Sequence, residues 1–376
     1  MKDKKICLNM IVKNESVVIK RALASIKHKI DYWIIVDTGS TDGTQAIIQD
    51  FLKDIPGEFY ERPWVNFEYN RNEALGFCQE KSDYILFIDA DEEWVFSKDF
   101  NKNGLHCNFY AVLTRDQNVD LHRILLIKNE PGWRWKGVLH EELVPLEDMK
   151  GELLQGVTNY GLPRDGHRAR DPERYKKDAE ILEKALAEDP TNARYVFFLA
   201  QSYGTAGEME LSLKYYQMRA EMGGFRDEVF WSLFSIGCLQ EDLRMDEKLI
   251  VESYSKAFQF DPTRIEPLDH LSAYYQKKYN HLLSYIIAKF ALTLPPPSTL
   301  FYVVREIHDY SLLLKYACAA HFIGEIDEAK ALYEKLLLKA NLPAEARHII
   351  ENNFNILRNT LRTCTVHDSI PSKSDS

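Results

Sequence analysis

No apolar run in this 376-residue chain approaches the length needed to cross a membrane; the longest are sized for strands. Paired cysteines are absent as well. The six present, at 7, 78, 107, 238, 318 and 364, form no C-x-x-C pair, which argues against a disulfide framework, and structural zinc is not expected. Their scatter suits reduced thiols in a cytoplasmic protein. Positive charge is in deficit, with 47 basic against 57 acidic side chains and a net charge of -10, so a general polyanion binder is not expected and nucleic acid is excluded as the main partner. The start, Met1-Lys2-Asp3-Lys4-Lys5, leads into only a short apolar stretch, Ile6 to Val12, broken by Asn9. That reads as a first strand rather than a signal sequence.

What the chain does have is apolar mass, 45% of its residues, enough for a large core and two or three domains. From residue 6 to 89 short apolar runs alternate with helix-like segments. Ile6–Ile11 precedes Glu15–His28, Trp33–Asp37 precedes Asp42–Asp54, Glu58–Glu61 precedes Tyr69–Glu80, and Tyr84–Asp89 follows. This rhythm predicts βα units forming a mostly parallel sheet with helices on both faces, and ligands at the carboxyl ends of its strands. Phe109–Arg115 and Asp120–Lys128 read as a hairpin appended to that sheet. Residues 1–150 are thus expected to be one α/β domain, and 151–170, richer in Gly, Pro and charge, an active-site segment and linker.

The character changes near Asp171. Leu182, Ala185 and Pro190 recur in spacing as Tyr254, Ala257 and Pro262 and again as Ile287, Phe290 and Pro295. Apolar residues eight and five before a proline mark stacked helix pairs of the tetratricopeptide type, and Tyr203, Gly207 and Tyr216 fit the intervening repeat. The match is imperfect: Pro295-Pro296-Pro297 and Phe301–Asp309 interrupt the array. Residues 171–362 are expected to be an all-α repeat domain, and 363–376 a disordered tail.

Chemistry concentrates at Asp89-Ala90-Asp91-Glu92, directly after the apolar run Tyr84-Ile85-Leu86-Phe87-Ile88. Two carboxylates one residue apart at the carboxyl edge of a buried strand call for a cation, although an acidic surface turn is the plainer reading of an isolated D-x-D. Other segments converge on the same edge. Val12-Lys13-Asn14-Glu15 follows the first strand, and Asp37-Thr38-Gly39-Ser40-Thr41-Asp42-Gly43-Thr44 ends the second. Asn70-Arg71-Asn72 lies on the helix before the acidic strand. Ser40-Thr41-Asp42 can cap a helix or touch a ligand, and Arg71 can form an ion pair or grip a phosphate with its planar fork.

Taken together, Leu8–Glu15, Asp37–Thr44, Trp64-Val65-Asn66-Phe67, Asn70–Leu75, Asp89-Ala90-Asp91 and Trp133–Glu141 resemble family 2 glycosyltransferases of the GT-A fold. More narrowly, the chain resembles bacterial members that join this domain to tetratricopeptide repeats, a group that includes the peptide S-glycosyltransferases of glycosylated bacteriocins. The resemblance implies an inverting transferase with a nucleotide-sugar donor, most simply a UDP-sugar, and Mn²⁺ or Mg²⁺ bridging Asp91 and the diphosphate. It places Val12, Asn14, Glu15, Asp37, Ser40, Arg71 and Asp89 around the donor, with Asp37 reading uracil.

In Gly132-Trp133-Arg134-Trp135-Lys136-Gly137-Val138-Leu139-His140-Glu141-Glu142 the resemblance places the base at Glu141, with Glu142 as the alternative. His140 is expected to pack or support, and Trp133 and Trp135 to stack on a sugar or fill the core. His167, with Asp165 beside it, is the candidate further metal ligand, or else a solvated linker histidine. The acceptor is expected to be a peptide, protein or glycan, and the repeats are expected either to grip it or to mediate homodimerisation. A second reading is a repeat scaffold bearing an inactive GT-A domain; the intact acidic pair, Arg71 and the acidic loop speak against it. A sugar nucleotidyltransferase would need a Gly-rich phosphate loop after the first strand, and Val12-Lys13-Asn14-Glu15 lacks the glycines.

Overall fold

The computed structural model describes residues 3–146, 148–161, 165–297, 301–340 and 342–367. They divide into two compact units, one running to Phe225 together with 301–303, the other beginning at Arg226.

The first unit opens with the βα series: β1 (Ile6–Val12), α1 (Ile19–Ile26), β2 (Tyr32–Asp37), α2 (Thr44–Leu52), β3 (Gly57–Glu61), α3 (Phe67–Gly76) and β4 (Tyr84–Phe87). In α1, Ile19, Ala22, Leu23 and Ile26 recur at helical spacing and all are buried. β1 and β4 are buried along almost their whole length, as strands covered on both faces must be. Then come β5 (Glu92–Phe96), β6 (Phe109–Asp116), β7 (Val119–Lys128), a small hairpin of β8 (Trp133–Lys136) and β9 (Glu142–Pro145), and β10 (Gly151–Gly161). The main sheet runs β3-β2-β1-β4-β7-β6-β10-β5. β1 to β4 are parallel, while β7 lies antiparallel between β4 and β6. The hairpin is therefore not a peripheral appendage. Gln117, at a φ of 49°, makes its tight turn.

The segment expected as loop and linker differs more. Residues 151–161 form the long strand β10, parallel to β6 and antiparallel to β5. Residues 162–164 lie outside the described part.

α4 (Arg174–Glu188), α5 (Ala193–Thr205) and α6 (Met209–Met222) belong to this first unit, so the compact division falls inside the repeat array rather than at its start. The second unit holds α7 (Arg226–Asp242), α8 (Glu247–Phe260), α9 (Glu266–Lys277), α10 (His281–Ala291), α11 (Leu312–Ile323), α12 (Ile326–Leu337) and α13 (Ala344–His367). Within the units the helices pack as antiparallel pairs, α5 on α6, α7 on α8, α9 on α10 and α11 on α12. Gly237 admits the Tyr254 ring, which a Cβ there would meet at 2.7 Å. The first two proline-linked patterns are core: Leu182, Ala185, Tyr254 and Ala257 are buried. The third is not, because α10 buries the small Ser284, Ala288 and Ala291, leaving Phe290 exposed. The tail expected from 363 begins inside α13, and its remainder from 368 lies outside the described residues.

Candidate active site

Two loops at the carboxyl ends of β1 and β2 are zipped together by short polar side chains. Thr38 donates both its N–H and its hydroxyl to the Val12 carbonyl, at 2.9 and 3.1 Å. The Asn14 N–H reaches Ser40 Oγ at 2.8 Å, and the Thr41 N–H reaches Asn14 Oδ1 at the same distance. Asn14 holds a φ of 56°, a conformation asparagine tolerates better than most residues. Asp42 accepts from Ser16 and Thr44, and although burial opposes it, these bonds hold its carboxyl well below the usual range. Asn14, Ser40 and Asp42 are therefore structural ties.

Asp37 is buried at the end of β2. It accepts from the N–H groups of Gly39 and Ser40 and from Gln45 Nε2. It lies on the wall of a small pocket of about 290 Å³ shared with Gly39, Ser40, Gln45, Glu61, Arg62 and Pro63.

The acidic cluster forms the turn between β4 and β5. Asp89 is gripped from two sides, by Arg71 at 2.6 Å and by Arg123 at 3.2 Å, and Arg123 also binds Glu92. Despite burial, the two guanidinium groups hold the Asp89 carboxyl far below its ordinary range. Asp91 has the opposite surroundings. It is half-buried, and among the described residues it has no ion-pair partner; burial, then the neighbouring Asp89 charge, pushes its carboxyl pKa up.

Arg71 is engaged through two of its guanidinium nitrogens. Its Nε donates to Glu141 Oε1 at 2.5 Å, its guanidinium lies 4.8 Å from the Trp135 ring centroid, and its side chain is 9% exposed. Of the two roles that sequence left open for Arg71, the structure shows the ion pair, with Asp89 and Glu141 each taking one nitrogen of the guanidinium. Its neighbours on α3 serve the same loop. Asn72 bonds both the N–H and the carbonyl of Trp135, and Glu68 accepts from the Gly137 N–H at 2.7 Å. Asn70 accepts from the Val65 N–H and donates to the Pro63 carbonyl, fixing the entry to the helix. Trp133 and Trp135 are buried, packed against Phe109 and Phe87. Of the two glutamates, Glu141 faces this network with Arg71, whereas Glu142 lies on β9, 45% exposed, with Arg194 3.6 Å away.

These groups line a cleft of about 1380 Å³. Its other wall comes from 166–171 and from α4 and α5. His140, at a φ of 51°, stacks on Phe198 of α5 with ring centroids 3.9 Å apart. Its imidazole is open at the rim, yet the surrounding protein and the charges of Arg168, Arg194 and Arg174 depress its pKa well below the usual range. Arg194 donates to the His140 carbonyl at 3.0 Å. Glu15, facing this wall, accepts from the His167 N–H at 3.0 Å, and its carboxyl is pushed up to about 7, by burial first, with Asp91 adding repulsion.

The metal set expected from sequence is not assembled. Asp165 gives both oxygens to Arg21, at 2.8 and 2.9 Å, and the His167 ring stands exposed in the cleft. The residues nevertheless fit a hard divalent cation at Asp91, an unpaired carboxylate with Glu15 close by and Gly166 giving it room. A Cβ on Gly166 would stand 2.8 Å from Asp91 Oδ2.

Arg123 carried no motif, and Glu92 was read only as part of the acidic cluster. Antiparallel register supplies the explanation: β7 pairs Leu126 with Leu86 of β4, and extending that ladder by three residues sets Arg123 beside Asp89. A lone arginine within the apolar run Leu121–Ile127 was the available signal. Arg168, Arg174 and Arg194 lie in segments that sequence assigned to linker and repeats.

Residues 7–99 match the family described as glycosyl transferase family 2. A TPR repeat-containing protein of Synechococcus elongatus is 25% identical over 77% of this chain and 76% of its own length. An uncharacterized glycosyltransferase of Rickettsia bellii is 39% identical over 24% of the chain and 29% of its own length. The SPbeta prophage-derived glycosyltransferase SunS of Bacillus subtilis is 25% identical over 56% of the chain. The chain thus spans about three quarters of the first relative, but only 29% and 52% of the other two.

Proposed function

We propose that this chain, a family 2 glycosyltransferase joined to tetratricopeptide-like repeats, moves a sugar from a nucleotide-sugar donor to an acceptor in the cleft beside Asp91. The observation that carries this reading is the contrast within one turn, where Asp89 is neutralised by two arginines and Asp91 is left with unbalanced charge. Asp91 would hold Mn²⁺ or Mg²⁺, with Glu15 and the His167 ring at hand; when bound, the ion offsets charge developing on the leaving diphosphate. The pocket beside Asp37 takes the nucleobase, which favours a uridine donor because a carboxylate accepts the imide N–H.

Transfer inverts the anomeric centre. The acceptor heteroatom bonds to the anomeric carbon as the bond to diphosphate oxygen breaks, and the acceptor proton passes to Glu141. Arg71 fixes that carboxylate through one oxygen, leaving the other for the proton. Arg194, Phe198 and His140 form the acceptor side, so the first repeat helices share in binding a peptide, protein or glycan. The described cysteines are unpaired, in keeping with a cytoplasmic setting.

A thermal-shift screen of nucleotide sugars tests the reading, since ligands that prefer the folded state raise its apparent stability. A uridine-diphosphate sugar should raise the melting temperature with Mn²⁺ and lose most of that shift with EDTA. No shift from any nucleotide sugar, with or without metal, would favour an inactive scaffold.

A further inference from the structure

Away from the cleft, the segment before β6 brings three metal-ligating side chains together. The ligand atoms of His106, Cys107 and Glu152 all lie within 4.8 Å of one another, and among the described residues no other trio of His, Cys, Asp and Glu does so. The first two precede β6, and Glu152 comes from β10, whose register sets it opposite Tyr110.

The segment is built to hold them. Tyr110 Oη accepts from the N–H of His106 at 2.6 Å and from that of Cys107 at 3.0 Å. Tyr84 Oη donates to the Cys107 carbonyl at 3.0 Å. On the other side, Lys4 binds Asn103 through its N–H and the Leu105 carbonyl through its ammonium. The histidine tautomer follows from chemistry: His106 Nδ1 lies 3.0 Å from the Gly104 carbonyl, which can only accept, so Nδ1 carries the proton. In the neutral ring, Nε2 then presents a lone pair toward Glu152, 3.6 Å away. A backbone carbonyl orienting the far nitrogen is the usual support of a metal-bound histidine.

We propose that His106 Nε2, Cys107 Sγ and a Glu152 oxygen bind a borderline divalent cation, Zn²⁺ in the first place, with solvent completing a tetrahedron. Without metal, burial and the nearby Glu152 carboxylate push the pKa of the Cys107 thiol up and keep it protonated. Binding exchanges that proton for the ion: the S–H bond breaks, the S–Zn bond forms, and the proton goes to solvent. The histidine and glutamate side chains, 69% and 57% exposed, leave the ion an open approach. Bound there, it ties the start of β10 to the chain entering β6. The site is independent of the glycosyl-transfer reading.

Co²⁺ titration of the full chain tests this, because thiolate coordination gives a near-ultraviolet charge-transfer band. The wild type should show the band saturating at one equivalent and bleached by Zn²⁺. Cys107→Ser should abolish it, His106→Ala should weaken Co²⁺ binding at least tenfold, and Cys318→Ser and Asp91→Ala should retain it. The exposed position of His106 keeps its variant a test even if Cys107→Ser folds poorly. A wild type without the band, or a band unchanged in either Cys107→Ser or His106→Ala, overturns the proposal.

Discussion

Asp89 and Asp91, one residue apart in the chain, occupy opposite electrostatic surroundings. Asp89 belongs to an alternating network, Glu92, Arg123, Asp89, Arg71 and Glu141, whose charges satisfy one another while partly shielded from bulk water. Such a network is costly to desolvate and costlier to break. Arg71→Met, which strands Glu141 and leaves Asp89 to Arg123 alone, should lower unfolding free energy by about 3–5 kcal/mol in denaturant titrations. Sequence singled out the D-x-D because it follows a buried apolar run, and it offered Glu141 as the base with Glu142 as the alternative. It left Arg71's role ambiguous and Arg123 unseen, since an ion pair across a sheet depends on register between distant strands. Sequence proposed Asp37 and Asn14 as donor-site positions; their bonds to neighbouring N–H groups depend on loop geometry that no residue type fixes alone.

At the scale of elements, α3 and the loop between β1 and α1 carry the site. α3 presents Arg71 to Glu141, the proposed base, and Asn72 to the strand before it, so one turn of helix positions the β8–β9 loop. Asn72→Ala should reduce kcat tenfold or more while the KM for donor changes little, because a misplaced base harms the reaction rather than donor binding. Glu15 adds a pH signature. Its carboxyl titrates near 7 when folded and at the ordinary 4.5 when unfolded, so the native state binds more protons between those values. In metal-free buffer its contribution should stabilise the fold as pH falls from about 7 to 4.5, by at most about 1.4 kcal/mol per pH unit. Comparing wild type with Glu15→Gln by denaturant unfolding across that window should show the extra slope only in the wild type. The βα elements were legible from their buried, periodic runs. β5 and β10 were not: β5 begins in the acidic cluster, and β10 buries few residues on a mostly exposed span, leaving little alternation to read.

Across the whole molecule, two cores divide the chain, one around the sheet and one around α9 to α13. Sequence placed the change of character near residue 171, where periodicity switches. The compact division comes later, because α4 to α6 complete the unit that contains the cleft. In the second unit Arg264 is 1% exposed, bound to Glu266 at 2.7 Å and 4.4 Å from the Phe230 ring centroid. Arg264→Ala should destabilise that unit by about 3–5 kcal/mol. Circular dichroism melts should record the loss, while metal-dependent donor hydrolysis persists below the melt.

The central claim, that Asp91 holds the ion on which departure of the nucleoside diphosphate depends, is tested most directly by UDP release from UDP-sugars at fixed Mn²⁺. The wild type should release UDP and lose that activity with EDTA, and Asp91→Asn should fall at least a hundredfold while remaining folded. Release by Asp91→Asn at the wild-type rate, or release indifferent to metal, would contradict the account.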